Sequence, residues 1–396
     1  MPLDVDTLRA DTRGVRSVIH LNNAGSSLMP RTVTDTVVAH LRREEEIGGY
    51  EAAAEASGRS DRVYASLAQL IEADPAGIAL MESGSSAWAS VVSLLPLAGS
   101  RVLLGRTEYG SNVGILRRLA RQRGLQLVVL EDDADGRVSV QHLQQELDLD
   151  DVGLVALTHV PMAGGLVNDA AAVGRLCRKA GVPFILDACQ SVGQLPLDVA
   201  ELKCDILVGT GRKFLRGPRG TAFVYLDSHV LEKVVPTPND RRALFAPIQD
   251  EPPSARLLES REASIAARLG LGRASEYALE LGIEDIRGRL QTLADGMRLH
   301  LADIRDVELY GRGKQGSGIV TFSVREKMAV QVKEHLAADG INLSTVPLPP
   351  LKPDAVLQET PATPSTAVRA SVHCYNTEAE IDRLASALRR LVSRGN

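Results

Sequence analysis

Cysteine is scarce in this chain, and the little there is does not pair. The 396 residues hold four, Cys177, Cys189, Cys204 and Cys374, with no Cys-x-x-Cys spacing and no histidine at a metal-ligating interval. Eight scattered histidines add no zinc motif, so no metal site is expected. Cys177, Cys189 and Cys204 lie in or near apolar runs and read as small core residues. Positive charge is not in excess either: the net charge is −5, which argues against a nucleic-acid-binding face. No apolar stretch is long enough to span a bilayer. The opening Met-Pro-Leu-Asp-Val-Asp has neither the basic nor the apolar part of a secretory signal, so a cytoplasmic protein is expected. Internal repeats and low-complexity tracts are also missing.

What remains is an ordinary globular composition, 44% apolar and 24% charged, long enough for a large domain and a smaller one. Short apolar runs at 77–81, 101–104, 125–130, 152–160, 184–186, 206–208 and 221–226 alternate mostly with helical patterns. Seven such strands predict an α/β fold with a mostly parallel sheet covered on both faces. The last two runs are close together and predict one antiparallel pair. A long helix is expected at about 259–282. A smaller α+β unit follows, with strands at 307–310, 318–324, 341–344 and 368–372 and helices at 327–339 and 377–393. The expected division is an N-terminal segment 1–20 packing on the small domain, a large domain 21–275 and a small domain 276–396. Two proline-rich stretches interrupt it. Residues 228–258 read as a surface excursion that could reach a partner subunit, and 345–366 as a long loop of functional length.

Lys213 carries the most information. It closes Gly209-Thr210-Gly211-Arg212-Lys213 after the run Asp205-Ile206-Leu207-Val208, and Asp187 closes Pro183-Phe184-Ile185-Leu186 twenty-six residues earlier. Both therefore sit just past strand ends, where open α/β sheets place their sites. Taken singly, a lysine there is a solvated side chain and an aspartate a helix cap. Together they meet the needs of pyridoxal phosphate. The amine condenses with the aldehyde, and the carboxylate keeps the pyridine nitrogen protonated. Gly84-Ser85-Ser86 follows another strand and opens a helix, so free amides and hydroxyls there can cradle a phosphate.

These residues resemble the cysteine desulfurase-like branch of fold-type I pyridoxal phosphate enzymes, the class V aminotransferases. The likeness runs from His20-Leu21-Asn22-Asn23-Ala24-Gly25 to Arg369-Ala370-Ser371 and on to Thr377. The resemblance implies a homodimer with active sites near the interface. It implies Asp187 and Gln190 for the family's Asp-x-x-Gln, and Thr210, Arg212 and Lys213 for its Ser-Gly-His-Lys. Gly84, Ser85, Ser86, Thr210 and Arg212 would then hold the phosphate, and Tyr109 would stack on the ring. Arg369 would clamp the substrate carboxylate, with Gly25 and Ser26 lining the substrate side.

The departures from the family pattern select an activity. A desulfurase needs a mobile-loop cysteine after the strand at 341–344, and this chain continues Thr345-Val346-Pro347-Leu348-Pro349-Pro350. Cys374 lies beyond Arg369 and reads as structural. The family's ring-stacking histidine is Tyr109, the histidine before the lysine is Arg212, and the asparagine of His-Val-Ser-Asn is Met162. The family's cross-subunit Gly-Thr has no clear match in 259–264. With Gly48-Gly49-Tyr50-Glu51, the Lys213 segment looks most like carbon–sulfur lyases of the ergothioneine-biosynthetic type. The expected reaction is β-elimination from an S-substituted cysteine, thioether or sulfoxide, to pyruvate, ammonia and a thiol or sulfenate. Lys213 would be the base and Tyr109 the acid for the leaving sulfur. An isopenicillin-N-epimerase-like epimerase, a cysteine desulfurase and a non-catalytic interaction protein are the alternatives.

Overall fold

A computed structural model describes residues 3–233, 254–260, 262–311, 316–349, 356–357 and 365–393. The surface excursion expected at 228–258 and the loop expected at 345–366 lie largely outside them.

The larger sheet has seven strands, each set by a short apolar run: β2 (Ile78–Met81), β3 (Arg101–Gly105), β4 (Gln126–Leu130), β5 (Val152–Thr158), β6 (Phe184–Asp187), β7 (Ile206–Thr210) and β8 (Ala222–Leu226). β1 (Ile19–His20) belongs elsewhere, as described below. The spatial order is β2-β8-β7-β6-β5-β3-β4. The four pairings from β4 through β3, β5 and β6 to β7 are parallel. β8 is antiparallel to β7, as its short connection predicted, and also to β2, which the sequence pattern did not reveal. Two reversals restore direction, so β2 runs the same way as β7. Every residue of β5 to β8 is buried, because helices cover both faces. Those helices begin and end on local chemistry. Asp169 accepts from the Ala172 amide to start 170–180, and left-handed Gly181 ends it.

A second sheet, in the order β12-β13-β10-β9, is antiparallel throughout: β9 (Val307–Tyr310), β10 (Ile319–Val324), β12 (Ser344–Pro347) and β13 (Thr366–Ser371). The run expected as one strand at 341–344 divides in two. β11 (Ile341–Asn342) pairs in parallel with β1, which ties the N-terminal segment to this unit. Residues 344–347 turn to pair with β13. Helices Ile283–Ala302, Ala329–Ala338 and Glu378–Ser393 supply its apolar core. The long helix is Ile265–Leu281, started by Ser264 and stopped at Gly282.

The loop between β7 and β8 holds Lys213 and is braced from outside. Arg216 adopts a left-handed φ of 62°, a costly backbone state for an arginine. Its guanidinium offsets that cost by donating to Leu28 O at 2.9 Å and Thr12 Oγ1 at 2.6 Å. It also lies 4.6 Å from the Tyr375 ring centroid.

Candidate active site

Parallel strands bring their carboxyl ends to one edge, and there the sheet opens a cavity of about 260 Å3. Asp187 is the last residue of β6, Thr210 of β7 and Thr158 of β5. Gly84, Ser85, Tyr109, Asp187, Gln190, Thr210, Arg212 and Lys213, eight of the residues singled out from sequence, line this cavity. Ser86, Arg369, Gly25 and Ser26 do not. The Ser86 hydroxyl is committed to the helix cap, accepting from the Ser83 amide at 3.1 Å and donating to Ser83 O at 2.8 Å.

Asp187 is buried and its carboxylate is fixed on both oxygens. Asn112 Nδ2 donates to Oδ2 at 2.7 Å, and the Cys189 amide donates to Oδ1 at 2.9 Å. Lys213 lies across the cavity, with Nζ 5.8 Å from the Tyr109 ring centroid. Burial holds its amine below the ordinary lysine range, and the Arg212 and Arg369 charges push the same way, against Cys189 and Asp187. A less basic amine has more of the neutral form that can act as nucleophile or base.

At another wall the helix Gly84–Leu94 presents its N-terminus. Ser85 Oγ meets Ser111 Oγ at 2.8 Å, joining this helix to the one that starts at Gly110. A Cβ on Gly84 would fall 2.7 Å from Cys189 Sγ, so a larger residue would push into the cavity floor. The donor set fits pyridoxal phosphate. One carboxylate and one lysine line the same cavity, the N-terminus of a helix and hydroxyls line it too, and buried Gln190 Oε1 has no partner among the described residues. Gln190 Nε2 donates to Ala24 O at 3.1 Å, which leaves that oxygen for a bound group.

Arg369 sits in the middle of the small sheet, opposite Thr321 and Ser344. Its guanidinium is buried. Nη1 reaches Met162 O at 3.3 Å and Nη2 reaches Asn22 Oδ1 at 3.4 Å, while Nε has no partner. Among the described residues no carboxylate pairs with it. Burial first, then the Arg212 charge, lower its pKa to about 10. Gly25 and Ser26 both donate their amides to Asn22 O at 3.0 Å, closing a tight turn. Arg212 Nη1 donates to Gly25 O at 2.8 Å, so this cation, expected beside Thr210 on the phosphate, is anchored to the same turn as Arg369.

Several residues were not singled out from sequence. Glu108 precedes Tyr109 and Asn112 lies three residues after it. Glu108 is buried, accepts from the Thr158 amide and from Thr158 Oγ1 at 2.7 Å, and is pushed up to about 8, chiefly by burial. Met162 stands where the family has asparagine, yet its backbone carbonyl meets Arg369. Cys189 is packed in the core as expected but also lines the cavity beneath Asp187, with its thiol held well above the usual range by burial. Cys374 is buried against His373, Sγ to Nδ1 at 3.1 Å. All that the sequence offered for Glu108 and Asn112 was their closeness to Tyr109.

The family model for aminotransferase class-V matches residues 19–384. A probable cysteine desulfurase of Methanothermobacter thermautotrophicus is 26% identical, over 98% of this chain and 98% of that protein. Among solved structures, the cysteine desulfurase from Thermococcus onnurineus superposes with a TM-score of 0.86 at 22% identity, covering 100% of this chain and 99% of that one. A cystine C-S lyase, in complex with its reaction product cysteine persulfide, superposes with a TM-score of 0.83 at 21% identity, covering 96% and 99%.

Proposed function

This chain belongs to the aminotransferase class-V family of pyridoxal-phosphate enzymes, and on that premise we propose that it is a carbon–sulfur lyase, eliminating sulfur from an S-substituted cysteine. The observation that carries the reading is the cavity shared by Lys213 and Asp187, where Cys189 is the one lining thiol among the described residues and is buried, with burial raising its pKa well above the usual thiol range. The fold-type I architecture that the resemblance implied, and that the α/β strand pattern accommodates, is the one its structural neighbours share.

Pyridoxal phosphate, when bound, supplies the aldehyde and electron-withdrawing ring that make the substrate Cα–H acidic and its Cβ–S bond cleavable. Lys213 is the attachment point and then the general base that takes the Cα proton. Asp187, fixed by Asn112 and the Cys189 amide, holds a proton at the ring nitrogen. Gly84, Ser85, Thr210 and Arg212 would hold the phosphate, and Gln190 would contribute its unpartnered side-chain oxygen to holding the cofactor. Tyr109 would stack on the ring and give a proton to the departing sulfur. Arg369 binds the substrate carboxylate, with its unpartnered Nε and weakly engaged Nη groups as donors. The balance is substrate plus water to pyruvate, ammonia and a thiol, or a sulfenate when the substrate is a sulfoxide. A homodimer in the cytoplasm is part of the proposal.

A cysteine desulfurase is the second reading, favoured by the names of the relatives. Its chemistry needs a thiolate that can reach the substrate sulfur. The Cys189 thiol lies under Asp187 and is held in its protonated form, and Cys374 is buried behind His373. Incubation with a panel of S-substituted cysteines separates the readings. Pyruvate with ammonia marks the lyase, alanine with a protein persulfide marks the desulfurase, and racemised substrate without pyruvate marks an epimerase.

A further inference from the structure

We propose that Arg216, which does not line the cavity, is a positioning residue for Lys213: it pins the turn that aims the lysine amine to the start of the chain and to the small domain at one point. The inference rests on the reading of Lys213 as the base and on nothing specific to sulfur. Arg216 closes a tight turn with the lysine. Its amide donates to Lys213 O at 3.0 Å, and the Gly217 amide donates to Gly211 O at 2.7 Å, so 211–217 is one closed loop with Lys213 inside it. Two costs meet at Arg216. Its backbone is left-handed, at φ 62°, where an arginine is disfavoured and a glycine is not. Its guanidinium is buried, with the residue 2% exposed, and no carboxylate among the described residues pairs with it. Such costs persist only where the surroundings over-determine them, and they cluster at working sites.

In return Arg216 joins segments far apart in sequence. Nη2 donates to Thr12 Oγ1 at 2.6 Å and Nε to Leu28 O at 2.9 Å, both ahead of the helix Arg31–Ile47. The guanidinium carbon lies 4.6 Å from the Tyr375 ring centroid and 5.6 Å from that of Tyr277 in the long helix. Tyr375 stacks on His373 at 5.3 Å, and His373 lies against Phe214 at 5.9 Å. Phe214 directly follows Lys213, so this column of rings begins and ends on the lysine turn. Burial first, then the Arg216 charge, hold the pKa of His373 down at about 3, so its ring is neutral. Nε2 donates to Phe214 O at 2.9 Å, and Nδ1 accepts from the Cys374 amide at 2.8 Å. On the other side of the lysine, the Ser27 amide donates to Arg212 O at 2.9 Å. Both neighbours of Lys213 are therefore fixed from outside the sheet. A base must stand within hydrogen-bond reach of the proton it takes, and a displacement of about 1 Å costs on the order of a hundredfold in rate.

The test is Arg216→Gly, because glycine adopts the left-handed backbone freely and the substitution removes only the clamp. L-Alanine in heavy water is the probe: it has the amine, carboxylate and Cα–H of a substrate and no leaving group, so nuclear magnetic resonance reads proton removal alone. Rates are taken per cofactor-loaded subunit, and the visible circular dichroism of the cofactor band reports how rigidly the cofactor is held at Lys213. The expected result is a fall of about tenfold or more in kcat for exchange, with KM for alanine within about twofold of wild type and a weakened visible dichroism. Thr12→Val, which takes away one acceptor of the fork, should show the same split at about threefold and decides the matter if Arg216→Gly does not fold. Wild-type exchange and dichroism in the variant that folds, or a raised KM with kcat unchanged, overturn the proposal and leave Arg216 a purely structural residue. If Lys213 is not the base, Lys213→Ala exchanges the alanine proton as fast as wild type, which separates failure of that reading from failure of this one.

Discussion

Asn112 Nδ2 donates to Asp187 Oδ2 at 2.7 Å, so the carboxylate at the end of β6 is aimed by a residue from the helix that Tyr109 opens. Tyr109 and Asn112 lie three residues apart on one helical turn, and both line the same cavity. The proposed stacking residue and the residue that fixes Asp187 are thereby one structural piece. Asn112→Ala removes one hydrogen bond to a charged acceptor, a loss of about 1.5–3 kcal/mol. The variant is expected to bind cofactor and to lose about tenfold or more in kcat/KM. Wild-type kcat/KM in Asn112→Ala would show that Asp187 is held adequately without it.

Asp187→Asn is expected to keep the fold and lose most activity. The neutral amide cannot hold a proton on the ring nitrogen, and loss of such a preorganised electrostatic group costs about 3 kcal/mol or more. Circular dichroism and steady-state kinetics check the two halves. Turnover near wild type would remove Asp187 from this role.

Lys213→Ala is expected to bind cofactor without a covalent link. Borohydride treatment followed by peptide mapping should place the phosphopyridoxyl group on Lys213 in wild type and on no residue in the variant. A reduced adduct elsewhere in Lys213→Ala would contradict the assignment.

Glu108 gives a pH dependence with a definite sign. Its ordinary value is 4.5, and in the folded protein it is pushed up to about 8 by burial. Between those values the native state holds a proton that the unfolded state has released. Stability from this group is therefore complete below about 4.5 and is lost as pH rises toward about 8. Glu108→Gln, which mimics the protonated carboxyl, should flatten the fall of Tm across that window. An unchanged slope in the variant would show that Glu108 titrates normally.

Gly25→Ala introduces a Cβ 2.5 Å from Asn22 Oδ1 and displaces the carboxamide that meets Arg369. KM should rise severalfold while kcat changes less, the pattern of lost carboxylate binding. A drop in kcat with KM unchanged would place the turn in the chemical step instead.

The large sheet was legible because its strands are continuous apolar runs, a pattern that buried parallel strands impose. Residues at strand ends were legible for the same reason: once β6 and β7 are found, Asp187 and Lys213 follow. The position of β2 was not, because its pairing with β8 depends on contacts nearly 150 residues apart that leave no periodic trace. The strand expected at 341–344 was one run in sequence but two in space, since β1 captures its first half. The segment His20 to Gly25 was recognised as the start of the resemblance, but not that it forms a turn to which Arg212 and Arg369 both attach. A guanidinium reaches several ångströms from its Cα, so its target is set by tertiary packing rather than by neighbours. The Met162 contact was hidden for a further reason: it is made by a backbone carbonyl, which side-chain identity does not report.

The central claim is that this enzyme cleaves carbon–sulfur bonds without a protein thiol. It is tested most directly by replacing Cys177, Cys189, Cys204 and Cys374 together with alanine or serine and measuring pyruvate and alanine from one S-substituted cysteine. The account predicts pyruvate and ammonia in equal amounts, no alanine, and a rate per folded, cofactor-loaded subunit close to wild type. Alanine and a persulfide from the wild type, with turnover abolished in the cysteine-free protein while cofactor stays bound, would contradict it and establish the desulfurase.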